Sequence, residues 1–240
     1  MALKTTDTTG FNLDLNNLVE EAFERCGQEL RSGYDMRTAR RSFNLLTIEW
    51  ANRGLNLFTI EKVEQVLTYD VADYDIPVDT IDLLDHVIRT GTGQNQTDIN
   101  ISRISVSTYA MIPNKNARGR PIQVWFQRET GATSAANIVQ YPQIHIWPKP
   151  VNSQTYTFVY WRLRRMQDAG NGINGQDIPF RFLPCLVAGL AYYLSMKLPD
   201  VDPGRRAELK MDYEQQYQLA ADEDREKAPI RFVPRVSYIG

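Results

Sequence analysis

Three clusters of basic residues are the first candidates for chemistry in this sequence. Arg37, Arg40 and Arg41 form one, Lys115, Arg118 and Arg120 a second, and Arg162, Arg164 and Arg165 a third. Cations at such spacing suit phosphate contacts, where each displaces counterions from nucleic acid. They suit equally a pairing with carboxylates of a neighbouring protein. The formal net charge is -2, from 27 Lys and Arg against 29 Asp and Glu, whereas a free DNA-binding domain is usually clearly basic. The balance favours carboxylate partners, and Arg37, Arg40 and Arg41 are assigned to a subunit–subunit contact. Aromatic residues are not interleaved with the clusters as base stacking would require.

Motifs of catalysis are missing. There is no GxxxxGK[ST] loop, no GxSxG elbow and no HExxH pair. The glycine-rich run Gly170-Asn171-Gly172-Ile173-Asn174-Gly175 lacks a dinucleotide fingerprint and reads as a hinge. Carboxylates are common, so an acid–base pair such as Glu49 with Asp85 is open, but no spacing singles it out. His86 and His145 lie in strand-like runs without metal-ligand spacing, and Cys26 and Cys185 lie in apolar helical patterns rather than a CxxC pair. The expectation is a non-enzymatic chain with no cofactor, no catalytic residue and no metal.

The elements that would position these residues follow from hydrophobic periodicity. Leu15, Leu18, Ala22 and Cys26 mark a first helix from Asp14. Met36, Ala39, Phe43, Leu46 and Trp50 mark a second, with Asp35 as its N-cap and Gly54 at its left-handed C-terminal cap. The middle changes period. Strands are expected at residues 62–68, 74–77, 86–89, 122–128, 143–147 and 155–163, a helical turn at 107–112, and a polar loop at 91–100. In the last strand both faces are apolar or aromatic, so both should be covered. Helical period returns at 179–197, where Ala188, Gly189 and Ala191 permit close helix–helix approach, and again at 203–227. The predicted fold is α+β: a four-helix bundle from the N- and C-terminal segments, a central antiparallel β-rich insertion, and an extended C-terminal tail. Its expected parts are a flexible arm (1–12), the bundle (13–58 with 177–227), the insertion (59–176) and the tail (228–240).

That tail carries Phe232, Val233, Tyr238 and Ile239 with nothing local to bury them. Packing on its own subunit and docking on another protein both satisfy it. No run approaches the roughly 18 apolar residues of a membrane span, and residues 1–10 do not read as a signal peptide.

Three stretches resemble a known family. The first runs Ala39-Arg40-Arg41-Ser42-Phe43-Asn44-Leu45-Leu46-Thr47-Ile48-Glu49-Trp50-Ala51-Asn52-Arg53-Gly54-Leu55-Asn56-Leu57-Phe58. The second is Asp177-Ile178-Pro179-Phe180-Arg181-Phe182-Leu183-Pro184, running on to Gly189-Leu190-Ala191-Tyr192-Tyr193-Leu194. The third is Glu223-Asp224-Arg225-Glu226-Lys227 followed by Phe232-Val233-Pro234. Together with Ile112-Pro113-Asn114-Lys115 and Gly119-Arg120-Pro121, they resemble the head-to-tail adaptors (connector, tail tubular or packaged-DNA-stabilisation proteins) of short-tailed, podovirus-like bacteriophages. The likeness spans most of residues 13–235, and Phe58 departs from it by standing where tryptophan is expected.

The resemblance implies a virion structural protein at the head–tail junction, made in the host cytoplasm. Such a protein is a homo-oligomer, a twelve-membered ring below the portal protein. The ring extends the DNA channel, retains packaged DNA and supports the tail nozzle protein. Double-stranded DNA passes through its lumen without sequence-specific binding. The C-terminal extension reaches the portal, which assigns docking to Arg231, Phe232, Val233, Arg235 and Tyr238, with Phe232 as anchor. Rival expectations are a nozzle or head-completion subunit, a virion-carried cell-wall hydrolase and a soluble DNA-binding protein.

Overall fold

The computed structural model describes residues 14–31, 33–128, 141–168 and 177–225. The chain divides into two compact units, Met1–Phe58 with Asp168–Gly240, and Thr59–Gln167. Among the described residues the helices are α1 (Leu15–Arg25), α2 (Gly33–Arg53), α3 (Val106–Ala110), α4 (Leu183–Ser195) and α5 (Pro203–Glu223). The strands are β1 (Ile60–Leu67), β2 (Asp73–Asp75), β3 (Thr80–Thr90), β4 (Thr97–Asn100), β5 (Ser102–Arg103), β6 (Arg118–Gly119), β7 (Gln123–Gln127), β8 (Gln143–Trp147), β9 (Lys149–Pro150) and β10 (Tyr156–Arg164).

In the first unit α4 is the hub. Every residue from Cys185 to Ala191 is buried, as expected of a helix that is apolar nearly all round. Three amphipathic helices supply the cover: α1 through Leu15, Leu18, Val19, Ala22 and Phe23, α2 through Ala39, Phe43, Leu46 and Trp50, and α5 through Leu209, Tyr213 and Tyr217. Each packs closely on α4. A Cβ at Gly189 would lie 2.8 Å from the Tyr213 ring and 2.9 Å from the Leu46 methyls, so the missing side chain is what admits α2 and α5 together. Over that contact Trp50 Nε1 donates to the Tyr213 hydroxyl (3.2 Å), which donates to Glu49 (3.2 Å). Tyr193 donates to the same carboxylate (2.6 Å). Arg53 spans Glu49 (3.1 Å) and Glu214 (2.8 Å) with its guanidinium 3.5 Å from the Tyr217 ring centroid.

Local signals set the helix ends. The Asp202 side chain accepts from the N–H groups of Gly204 and Arg205, and Pro203 opens α5 where its missing N–H costs nothing. Gly54 ends α2 at φ +88°, the left-handed conformation that favours glycine. The expectation that Asp35 caps α2 is corrected: the helix starts at Gly33, and Asp35 sits in its first turn.

The second unit packs two four-stranded sheets, in the orders β1-β10-β3-β4 and β2-β8-β7-β5, with a two-stranded β6-β9 pair. Its core is one cluster containing Tyr74, Ile88, Val124, Phe126, Ile144, Ile146, Phe158 and Tyr160, contributed by both larger sheets. β10 is a central strand, which explains its two apolar faces. Arg162 on β10 is only 7% exposed and lies between Glu61 (2.5 Å) and Asp79 (2.6 Å), with Thr80 at 2.9 Å. A guanidinium so enclosed is tolerable only because both carboxylates and the hydroxyl satisfy it. Among the described strands β1 is at the edge of its sheet, and it presents Glu61, Lys62 and Glu64 as exposed charges.

The structure overturns the four-helix-bundle fold. Among the described residues there are five helices rather than four, the fifth being α3 inside the β unit, and sheets form the core of that unit. Three helices converge on one hub instead of ringing a shared axis, because α4 has no polar side to turn outward. Nor is the β part purely antiparallel, since β5 pairs with β7 and β6 with β9 in parallel. The expected loop at 91–100 also contains a 3-10 turn and β4.

Gly189→Ala is expected to cost about 1–3 kcal/mol, the usual penalty of overpacking a filled core, and Gly189→Leu to prevent folding. Denaturant melts check both, and an unchanged midpoint for Gly189→Ala would show a looser α4 contact than this geometry implies.

Candidate assembly surface

The structure separates the three basic clusters. In the loop cluster, Arg118 makes a bidentate pair with Asp70 (2.9 and 2.8 Å), and Lys115 donates to the carbonyls of Ala110 and Ile112. At the end of β10, Arg162 serves the buried pairs just described, Arg165 donates to the Val78 carbonyl (2.9 Å) and Arg164 to the Arg165 carbonyl (3.3 Å). Most of the cations in both clusters are therefore spent on holding their own fold, while Arg120 is exposed.

The α2 cluster differs. Arg37, Arg40, Arg41 and Tyr34 line one open depression of about 390 Å³. Among the described residues no carboxylate lies within ion-pair distance of Arg37, Arg40 or Arg41. Arg41 donates to the Thr38 hydroxyl (3.3 Å) and the Arg40 Nε is buried without a partner. A fourth cation stands beside them. Lys197 donates to the Ser42 hydroxyl (2.8 Å), and burial together with the Arg41 charge holds its ammonium below the usual lysine range. Ala39, Phe43 and Leu46 bury one side of α2 on α4, which fixes the arginines on the other. An orphaned buried guanidinium N–H within a group of uncompensated cations is the condition of a surface awaiting an acceptor.

The enzymatic candidates resolve into structural roles. Glu49 accepts from Arg53, Tyr193 and Tyr213, and Asp85 accepts from the neighbouring His86 N–H (2.8 Å). Burial pushes the Cys26 thiol up to about 11 and the Cys185 thiol to about 12, which disfavours the thiolate of both. No group of His, Cys, Asp and Glu able to hold a metal occurs among the described residues, and no described helix is long and apolar enough to cross a membrane. His145 stacks on Trp125 at 4.4 Å and contacts Asp73 (2.6 Å) and Gln127 (3.1 Å). The glycine-rich run at 170–175 and the assigned docking residues Arg231, Phe232, Val233, Arg235 and Tyr238 lie outside the described residues.

The sequence reading missed the other exposed groups of α2, Tyr34, Leu45 and Ile48. Their three- and four-residue spacing to Arg37 and Arg41 was the available signal. It was masked by the stronger apolar stripe on the opposite side.

The family model described as SU10 adaptor protein matches residues 17–233. The chain belongs to that family of phage head–tail adaptors and is accordingly a structural protein of the virion that assembles with portal and tail components. Comparison with curated proteins found no match.

His86 yields a pH dependence. It is buried in β3, and neither ring nitrogen makes a well-formed hydrogen bond, although the Ile101 backbone faces it. Burial pulls its pKa below 6.5, with the Arg103 charge adding to and Asp85 opposing that shift. The folded state thus prefers neutral imidazole. Stability is complete above about pH 6.5, the unfolded value, and is lost as pH falls below it toward the folded pKa. Denaturant melts at pH 7.5 and 5 should differ more for the native chain than for His86→Leu, and equal differences would refute the assignment.

Proposed function

We propose that the protein is the head-to-tail adaptor that forms a ring below the portal, extends the DNA channel, retains the packaged genome and carries the tail nozzle. The observation that supports it most is the family match across residues 17–233. Twelve copies is the number implied by the resemblance to short-tailed phage adaptors. Arg37, Arg40 and Arg41 form part of the subunit–subunit contact, because among the described residues none of the three pairs with a carboxylate and together they line an open depression. A near-neutral chain suits a conduit, since a lumen lined with uncompensated cations would hold a duplex through many phosphate contacts.

The C-terminal tail docks on the portal through Arg231, Phe232, Val233, Arg235 and Tyr238. Aromatic and arginine side chains are the usual anchors of such contacts, and the segment has few apolar neighbours in sequence to pack against.

Mixing the full chain with portal and imaging the product tests the ring directly, and a product without a closed ring would reject it. Deleting the residues after Lys227 should abolish portal binding while the helical content and melting temperature persist. Undiminished docking by the truncated chain would remove the tail from the mechanism. Reversing Arg37, Arg40 and Arg41 to Glu should block ring formation in native mass spectrometry without unfolding the chain.

A further inference from the structure

The depression on α2 has the make-up of an anion site. Tyr34, Arg37, Arg40 and Arg41 line it, and its volume is about 390 Å³. Residues three and four apart are neighbours on a helix surface, so Arg37 stands beside both Arg40 and Arg41, with Tyr34 one turn before it. Like charges at that spacing work against the helix that carries them. Among the described residues no carboxylate is within ion-pair distance of the three. Asp35, the acid of the first turn, is two residues from Arg37, off that side of the helix, and accepts from the Arg31 N–H (3.4 Å). The Arg40 Nε is buried without a partner while the same side chain lines the depression. Lys197 adds a fourth cation. Its ammonium donates to the Ser42 hydroxyl (2.8 Å), and burial and the Arg41 charge hold it below the usual lysine range.

The donors select the anion. Three guanidiniums carry three positive charges, and each presents its N–H groups as a rigid fork. Tyr34, 64% exposed, brings a hydroxyl donor. A carboxylate offers one negative charge and two oxygens. A phosphate monoester offers nearly two charges at pH 7 and three strong acceptor oxygens, and it meets an arginine fork two hydrogen bonds at a time. The tetrahedral dianion therefore matches the site better than a carboxylate does. A nucleic-acid backbone matches it worse. Its diesters carry one charge each and are held by a track of cations, whereas Arg118 and Arg162 of the other two clusters are already paired with Asp70, Glu61 and Asp79.

We propose that Arg37, Arg40 and Arg41, with Tyr34, bind a phosphate monoester dianion, as inorganic phosphate or as the terminal phosphate of a larger molecule. Each arginine donates to phosphate oxygens, Tyr34 adds its hydroxyl, and Lys197 contributes charge from beside the site. The inference goes beyond the subunit-contact reading and stands without it. Where both hold, the bound dianion removes the like-charge repulsion that the bare cluster presents to a neighbouring copy.

The test titrates the full chain with inorganic phosphate by isothermal calorimetry at fixed ionic strength, with acetate as the carboxylate comparator. Phosphate should saturate one site per chain, and acetate should bind about tenfold more weakly, having less charge and fewer acceptors. Arg40→Gln, and Arg37→Gln with Arg41→Gln, should each weaken phosphate binding by roughly tenfold or more, as the loss of a charge-assisted hydrogen bond implies. Arg120→Gln, at an exposed arginine of the loop cluster, should leave it unchanged. Melting curves confirm that the variants are folded, and phosphate should raise the melting temperature of the native chain more than theirs. No saturation, equal affinity for acetate, or undiminished binding by the α2 variants overturns the site. Competition with two short duplexes, one ending in a terminal phosphate and one in a hydroxyl, separates the sources. Displacement by the phosphorylated duplex alone assigns the site to a strand end, and displacement by neither assigns it to the free anion. Equal displacement by both would mean that backbone diesters suffice, and the proposal falls. Phosphate binding with rings that survive reversal of the three arginines keeps the site and removes the subunit contact, whereas rings lost on reversal without phosphate binding do the opposite.

Discussion

The close approach of three helices to α4 is the constraint on which the helical unit depends. Gly189 leaves a gap into which the Tyr213 ring and the Leu46 methyls pack at distances that a Cβ would occupy. With α5 and α2 so near, Trp50, Tyr213, Glu49 and Arg53 come within hydrogen-bonding range and close a polar network that runs from the buried indole to the half-exposed Glu49–Arg53 pair. Such a network is stabilising only when its members are all satisfied, and here the hydroxyls, the indole and the carboxylate each have a partner. Its effect is to fix the rotation of α2 about its own axis. Which residues that helix shows to the outside is therefore decided by packing on its inside.

Charge in this protein is mostly a private matter of each unit. Arg89 joins Glu64 to Asp98, Arg103 and Arg128 share Asp82, and Arg162 is enclosed by Glu61 and Asp79. The more exposed of these pairs contribute little each, but they neutralise the surface they cover. Against that background Arg37, Arg40 and Arg41 on α2 and Glu20 and Glu24 on α1 stand out, among the described residues, as charges without an ion-pair partner. A near-zero sum over the chain conceals this separation.

Much of the secondary structure was legible in the sequence. The Ala39, Phe43, Leu46, Trp50 stripe marks the buried side of α2, Gly54 marks its end, and the doubly apolar run from Tyr156 identifies an interior strand. Tertiary arrangement was not. The bundle expectation failed because periodicity reveals that four helices have apolar sides but not that one of them is covered by all the others. The parallel β5 and β6 pairings were invisible because two-residue strands have no period. The three arginine clusters look alike in sequence, and what distinguishes them is distant: Asp70 lies 48 residues from Arg118, and Asp79 lies 83 from Arg162. The start of α2 was misplaced since Gly33 reads as a breaker but here opens a helix.

The free border of the first sheet has a bearing on crowding. An eight-residue strand that, among the described residues, pairs on one side alone leaves a row of backbone donors and acceptors that is a template for adding another strand. On β1 that border carries Glu61, Lys62 and Glu64, with Glu61 drawn toward Arg162 and Glu64 toward Lys62 and Arg89. Any strand arriving from a neighbour would have to strip water from these groups and compete with their partners. Molecules of this kind can be held at high local density without their sheets fusing into a continuous ribbon.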